Sequence, residues 1–408
     1  MTRREFAATS GIWFFGLGSF GIRLPFFALY LEENAELRGS EVGLVLAVVQ
    51  LTSLIAQPFW GQVADRTGSR TWVVTALALG TGVGSLAIGF ADGLTTLLLT
   101  TGAAAFFWSS LVPSATAVTL AVAGAGDAHA FGRIRVFGTI GFGCFALGFP
   151  WLLDVYERWR DLAPAIATGP SEPALGLMFP VSAAIAFLCA VCALTLPRVG
   201  AVALRANAGD WRELLRSRPY LRLLAYVLVA NVFLHGPLSM YPNLIRSRGG
   251  DLTVVSQMWI FMLLLEVPLV AMTGSTLARI GARGLLGIAI VAGGVRWLVC
   301  ALAEDLSWLY AASLLHGVVV AGLIIGGPLY AEAVVPARLR STAQGVLGMI
   351  GTGVGALISA FATGWLFEHA GPRAPYLYGG VAALALALLL PSWIPAPRAS
   401  DAQPRESS

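Results

Sequence analysis

Long apolar runs of about twenty residues recur from one end of the chain to the other, divided by short polar segments that hold nearly all the charges. A helix rises about 1.5 Å per residue, so a run of about twenty crosses the roughly 30 Å hydrocarbon core of a bilayer. The pattern predicts twelve membrane-crossing helices, at 8–31, 41–61, 71–91, 95–121, 134–154, 175–196, 219–243, 253–273, 285–303, 308–332, 342–367 and 375–394. The expected fold class is an all-α membrane protein.

Composition sharpens this. Of 408 residues 57% are hydrophobic and 12% charged, against roughly 25% charged in an average soluble domain. A water-soluble enzyme is excluded. The net charge is +4 and all 26 basic residues are Arg, since no Lys occurs; a Walker-type phosphate loop and a Schiff base are therefore excluded too.

The arginines also orient the chain, because short cytoplasmic loops are enriched in them. With the N-terminus inside, eighteen arginines lie on the cytoplasmic side, six outside (Arg38, Arg158, Arg160, Arg246, Arg248, Arg373) and two, Arg23 and Arg296, within spans. Both termini are expected in the cytoplasm of a cell with this protein in its inner membrane. The stretch from Ala7 to Leu31 is too long for a cleaved signal and reads as a retained first span. The four cysteines sit in apolar runs, where a thiol packs as a small hydrophobe; Cys189 and Cys192 lack the second pair that a metal site needs.

The polar stretch between spans six and seven divides the chain into a six-helix bundle at 1–196, a cytoplasmic linker at 197–218, a second bundle at 219–396 and a cytoplasmic tail at 397–408. An internal repeat supports the division. Gly61, Arg66, Gly68 and Arg70 coincide with Gly274, Arg279, Gly281 and Arg283 at an offset of 213, which also carries Gly132, Gly138 and Thr139 onto Gly345, Gly351 and Thr352. Two pseudo-symmetric six-helix bundles are the arrangement of a carrier whose central site alternates between two faces.

The loop Gly61-x-x-x-Asp65-Arg66-x-Gly68-x-Arg70 resembles the signature loop of the major facilitator superfamily. The resemblance implies the major facilitator fold and a cytoplasmic latch made by Asp65, Arg66 and Arg70. Arg279 and Arg283 belong to the second copy, whose Ala278 replaces the acidic residue and weakens the latch. A narrower resemblance is to the phenylpropionate permease-like branch, itself similar to oligosaccharide and nucleoside proton symporters. It rests on Leu24-Pro25-Phe26, Leu111-Val112-Pro113, the segment from Gly132 through Arg133 and Arg135 to Phe142, Glu266, Val295-Arg296-Trp297 and Leu315-His316-Gly317. Two departures, Arg23 where an apolar residue is usual and Thr116 where an acidic one is frequent, imply a different substrate polarity.

A charged side chain at mid-span costs about 2.5–3.5 kcal/mol on insertion scales, so it marks function or a partner. Rise per residue puts Glu266 roughly 11 Å and Arg296 roughly 16 Å from the cytoplasmic boundary, and His316 roughly 12 Å from the opposite one. The resembled symporters place a Glu, an Arg and a His on those same spans. Glu266 is the candidate proton-coupling carboxyl, Arg296 its charge balance or the ligand of an anionic substrate, and His316 a relay. The bland alternative is a static buried ion pair with a packing histidine.

Arg23 shares a helical face with Phe20, Phe27 and Tyr30, a surface suited to an anionic aromatic substrate; its alternatives are a pair with an acidic residue such as Glu41, or snorkelling. Trp108, Asn231, His235 and Trp297 complete the candidate binding set, although Asn231, His235 and the polar group around Pro113 read more simply as residues that satisfy one another. Arg133 and Arg135 join the gating loops, gating ion pairs are expected around Glu332, Arg338 and Arg340, and His129 and His369 are expected in solvated loops. No HExxH, paired-His metal spacing or hydrolase order appears in the spans. The chain thus reads as a monomeric secondary transporter, not an enzyme, with a small-molecule substrate, protons and the bilayer as partners, no nucleic acid, no metal, and no cofactor beyond a proton gradient. The substrate expected is a small organic solute such as an aromatic carboxylate moved by proton symport. The alternatives are drug or metabolite efflux by proton antiport and sugar or nucleoside symport, with a transport-dead sensor or a membrane enzyme last.

Overall fold

The computed structural model describes residues 1–123, 128–160, 172–196, 214 and 216–395. Most of the linker at 197–218, the tail at 397–408, Arg198, Arg205, Arg212, Arg398 and Arg405, and the side chains of His129 and Arg279 lie outside the described residues. The described residues fall into two compact units, the first within Met1–Leu204 and Gly250–Gln257, the second within Arg205–Gly249 and Met258–Ser408.

The first unit contains α1 (Arg3–Leu29), α2 (Gly39–Thr67), α3 (Arg70–Gly89), α4 (Gly93–Ala123), α5 (Ala128–Trp159) and α6 (Met178–Leu194). A capping box starts α1: Thr2 Oγ1 accepts from Glu5 N at 3.2 Å while the Glu5 carboxylate accepts from Thr2 N at 2.6 Å. α1 packs on α5, α6 and α4, and α3 packs on α4 and α6. Two buried indoles of this unit find polar partners: Trp13 Nε1 donates to Thr119 Oγ1 at 2.8 Å and Trp60 Nε1 to the Phe106 carbonyl at 3.0 Å.

The second unit contains α7 (Arg218–Ser239), α8 (Tyr241–Ser247), α9 (Leu252–Leu302) from Met258 onward, α10 (Leu306–Leu314), α11 (His316–Val320), α12 (Gly327–Val334), α13 (Arg340–Leu347), α14 (Gly355–Ala370) and α15 (Ala374–Trp393). Among the described residues eleven helices are long and apolar enough to cross a membrane, and the part of α9 before its break at Gly281 stands where the eighth span is expected. Large apolar side chains face outward along them, such as Leu99 at 69% and Leu388 at 82% exposed, which is the surface a lipid-embedded bundle presents.

Three spans expected to be continuous are interrupted. The seventh breaks at Met240 between α7 and α8. Just before that break Ser359 Oγ inserts into the α7 ladder, accepting from Gly236 N and donating to the Val232 carbonyl, each at 2.6 Å; an inserted side chain beside Pro237 is a recognised cause of a bend. The tenth span breaks at Leu315 and continues through a π-helical turn, Ala321–Gly326; the eleventh carries another, Gly348–Val354. His369 lies at the exposed end of α14, stacked on Trp365, rather than in a loop.

The repeat inferred from the offset of 213 is visible in the backbone. Gly68 ends α2 at φ 63° and Gly281 breaks α9 at φ 69°, the left-handed region that favours glycine. A Cβ on Gly138 would meet Leu17 of α1 at 2.6 Å, and one on the matching Gly351 would meet Val227 of α7 at 2.6 Å. Not every glycine of these spans serves close packing: Gly148, Gly345 and Gly348 have no atom within 4 Å of an added Cβ.

Candidate functional site

The second unit encloses a cavity of about 530 Å³ with mostly aliphatic walls, which α7, α9, α11, α12, α13 and the two π-helical turns contribute. That volume lies in the range of small-molecule pockets. Among the described residues its polar lining consists of Asn231, His235, Arg296, Trp297, His316, Gln344 and Thr352, with no carboxylate. The π turns place Leu323, Gly348 and Thr352 in the wall, in keeping with the frequent use of such turns at functional sites.

Arg296 organises the polar end. It is 1% exposed, and its guanidinium lies 4.2 Å from the Trp297 ring and 5.4 Å from the Tyr241 ring. Nη2 donates to Met262 Sδ at 3.3 Å and Nη1 to His316 Nδ1 at 2.9 Å, while Nε has no hydrogen-bond partner. A guanidinium only donates, so His316 Nδ1 is the acceptor and the imidazole proton of the neutral ring sits on Nε2. Tyr241 is held in turn by the Leu309 carbonyl and Ser313 Oγ, both at 3.1 Å. Among the described residues no carboxylate is within ion-pair distance of Arg296.

The expected trio is therefore brought together only in part. Arg296 and His316 meet, but Glu266 is half-buried, does not line the cavity and does not pair with Arg296. Its backbone, not its carboxylate, is what approaches: a Cβ on Gly317 would stand 2.6 Å from Glu266 N. Of the candidate binding residues, Asn231, His235 and Trp297 line the cavity, Asn231 Nδ2 donates to the Val227 carbonyl at 2.9 Å, and Trp297 Nε1 is buried without a partner. Tyr241, Met262 and Gln344 were not foreseen. Gln344, a lone amide in an apolar run, was the readable signal; its Nε2 donates to Glu332 Oε1 and the Pro328 carbonyl, both at 3.2 Å.

In the first unit Arg23 is 7% exposed, and Nη1 and Nη2 are buried with no hydrogen-bond partner. It neither snorkels nor pairs with Glu41, whose carboxylate instead accepts from Arg38 N at 2.8 Å. Its charge is offset by two rings, Phe20 at 4.4 Å and Trp108 at 4.0 Å. Desolvated cation–π contacts of about 2 kcal/mol each match the roughly 2.5–3.5 kcal/mol insertion cost. Phe27 and Tyr30, expected on the same face, pack edge-on against Phe179 of α6, with centroids 6.3 and 4.7 Å away. The shared face divides because a stripe with four large residues cannot turn them all toward one neighbour.

The signature segment is less a loop than a helix end. Gly61, Asp65 and Arg66 lie in the last turns of α2 and are exposed, Gly68 caps it, and α3 begins at Arg70, whose Nη1 donates to the Ala117 carbonyl of α4 at 3.4 Å. Gly61 has no atom within 4 Å of an added Cβ, so it admits no close neighbour here. Arg133 and Arg135 lie over the rings of Phe6 and Trp13, at 5.7 and 4.6 Å. Arg279 is part of α9, and half-buried Arg283 follows the Gly281 break. Outside the spans, burial and then the neighbouring Arg373 hold Arg248 below the ordinary guanidinium range, and hydrogen bonds from Ser307 hold the Asp305 carboxyl below the usual carboxylate range.

A family model described as the MFS_1 like family matches residues 6–378. The chain belongs to that family. The MFS_1-like chain is 28% identical over 378 residues to the maltose permease of Geobacillus stearothermophilus, covering 91% of this chain and 90% of that one. It is 23% identical over 367 residues to the probable 3-phenylpropionic acid transporter of Escherichia coli strain K12, covering 86% and 89%. The fold matches the crystal structure of the nucleoside transporter NupG with a TM-score of 0.82 at 17% identity, covering 97% of this chain and all of that one, 100%. The protein is thus a multi-pass membrane transporter of the major facilitator type for small solutes, and its relatives are transporters rather than enzymes.

Proposed function

We propose that this transporter moves a small organic anion, an aromatic carboxylate foremost, by alternating access with proton symport, as a monomer in the inner membrane with both termini cytoplasmic and without a cofactor. The observation that carries the substrate class is the fully buried Arg296 guanidinium on an apolar cavity with no carboxylate beside it among the described residues. An intramembrane cation is stabilised by an anion, and the aliphatic walls suit a ring. In this reading Arg296 binds the carboxylate, Trp297, Asn231 and His235 position the ring, Arg23 with Trp108 offers a second cation, and Phe27 and Tyr30 support that helix. His316 and Glu266 exchange the proton. Asp65, Arg66 and Arg70, with Gly61, Gly68, Arg133, Arg135, Arg279 and Arg283, serve the cytoplasmic latch.

Maltose permease as a relative favours a second reading, sugar symport. A sugar carries hydroxyls all round its ring, each wanting a partner, and the cavity's walls are mostly aliphatic with few polar side chains, which weighs against it. The test is uptake of radiolabelled 3-phenylpropionate, maltose and uridine into proteoliposomes after an external pH drop. The expected result is acid-driven accumulation of the carboxylate alone, abolished by a protonophore; accumulation confined to maltose or uridine overturns the proposal.

A further inference from the structure

A second concavity, of about 540 Å³, lies away from the transport cavity where the end of α9 meets the start of α10. Its floor includes Leu298, Val299, Leu302 and Trp308, and its rim is Glu304 and Asp305 in the short connection between the helices. Leu302 is 69% and Trp308 61% exposed, so in a membrane protein the floor faces acyl chains and the rim stands at headgroup depth, with an indole beside it as interfacial tryptophans prefer.

The rim carries both signs of charge. Arg373 Nη2 donates to Glu304 Oε1 at 3.2 Å, and Asp305 Oδ1 caps α10 by accepting from Ser307 N at 2.7 Å. Glu304 Oε2 and Asp305 Oδ2 have no hydrogen-bond donor among the described residues, and Arg373 is half-exposed with further donors unused. Two exposed carboxylates beside an arginine, above an apolar groove, match a lipid whose headgroup joins a primary ammonium to a phosphate. A choline headgroup has no N–H to give the carboxylates, and an anionic headgroup, although Arg248 as well as Arg373 stands near Glu304, brings them no cation.

We propose that this groove is a binding site for phosphatidylethanolamine: the ammonium donates to Glu304 and Asp305, the phosphate meets Arg373, and one acyl chain lies along Leu298, Leu302 and Trp308.

Native mass spectrometry of the full-length protein released from detergent tests it, with phosphatidylethanolamine, its mono- and dimethyl derivatives and phosphatidylcholine supplied in equal amounts. The wild type is expected to retain one phosphatidylethanolamine over phosphatidylcholine by roughly three- to fivefold, the yield of a single exposed ion pair, with the preference falling at each added methyl. Glu304→Gln with Asp305→Ser removes both charges while Ser keeps the helix cap, and is expected to level the retention. Equal retention by the wild type, or a preference that survives in the double variant, overturns the proposal. Should the double variant misfold, Val299→Trp decides: it fills the groove under intact charges, and undiminished retention of phosphatidylethanolamine overturns the proposal.

Discussion

Replacing Gly317 by Ala perturbs the site through one methyl group. The added Cβ stands 2.6 Å from Glu266 N and 2.8 Å from Glu266 Cα and the Leu265 carbonyl carbon. These are backbone atoms of α9 and cannot rotate aside. Restoring ordinary contact at 3.4 Å requires α11 to withdraw by about 0.8 Å, the difference 3.4 − 2.6. His316 is the preceding residue, so its 2.9 Å bond to Arg296 stretches to about 3.7 Å, beyond hydrogen-bond range. Overpacking of this kind costs about 1–3 kcal/mol, a fall in Tm of roughly 2–12 °C for a unit of this size. The assay is thermal unfolding of the purified protein in detergent, paired with the affinity for 3-phenylpropionate, which is expected to weaken. Gly345→Ala is the control, since nothing lies within 4 Å of its Cβ; it should leave both readouts unchanged or raise Tm slightly. Wild-type Tm and affinity in Gly317→Ala would refute the geometry of the Arg296–His316 contact.

Ser359→Ala leaves Gly236 N without its acceptor at the inserted position in α7, and should cost about 1–3 kcal/mol, read as the midpoint shift in denaturant titration. Gly61→Ala should be neutral or stabilise by about 0.5–1 kcal/mol, because the position is helical and open; loss of uptake with retained Tm in that variant would assign Gly61 a role in motion rather than packing. Asp305→Ala should lower Tm at neutral pH through loss of the α10 cap. The Asp305 carboxyl is held below its unfolded value by Ser307, so its contribution is present above about pH 4 and is lost as pH falls through the folded-state value; the Tm gap between variant and wild type must close on acidification, and a gap independent of pH would contradict the cap.

Spans, internal repeat and family were readable from the sequence because they rest on regularities of length and spacing. Apolar runs of bilayer length mark helices whatever their tertiary contacts, and the offset of 213 pairs Gly68 with Gly281, both of which have a positive φ although their ψ angles of 15° and 168° differ. What the sequence hid is local. Met240 and Leu315 are ordinary apolar residues; near the first, Ser359 of another helix inserts into α7 between Gly236 N and the Val232 carbonyl, a contact no periodicity announces. Arg296 and His316 are readable, together with Glu266, as ionisable groups at compatible depths. Their meeting without the Glu266 carboxylate depends on how α9 and α11 face each other, which depth alone does not fix. Likewise Arg23 and Trp108 stood in separate spans with no periodicity to link them, and only packing stacks one on the other.

The central claim is that Arg296 gives the cavity its anion preference. Equilibrium binding of 3-phenylpropionate and of its uncharged analogue 3-phenylpropanol, to wild type and to Arg296→Gln, tests it most directly. A charge-assisted hydrogen bond of about 1.5–3 kcal/mol predicts that the wild type prefers the carboxylate by roughly ten- to a hundredfold and that the variant binds both alike. Equal affinity in the wild type, or a carboxylate preference that survives in Arg296→Gln, would contradict it.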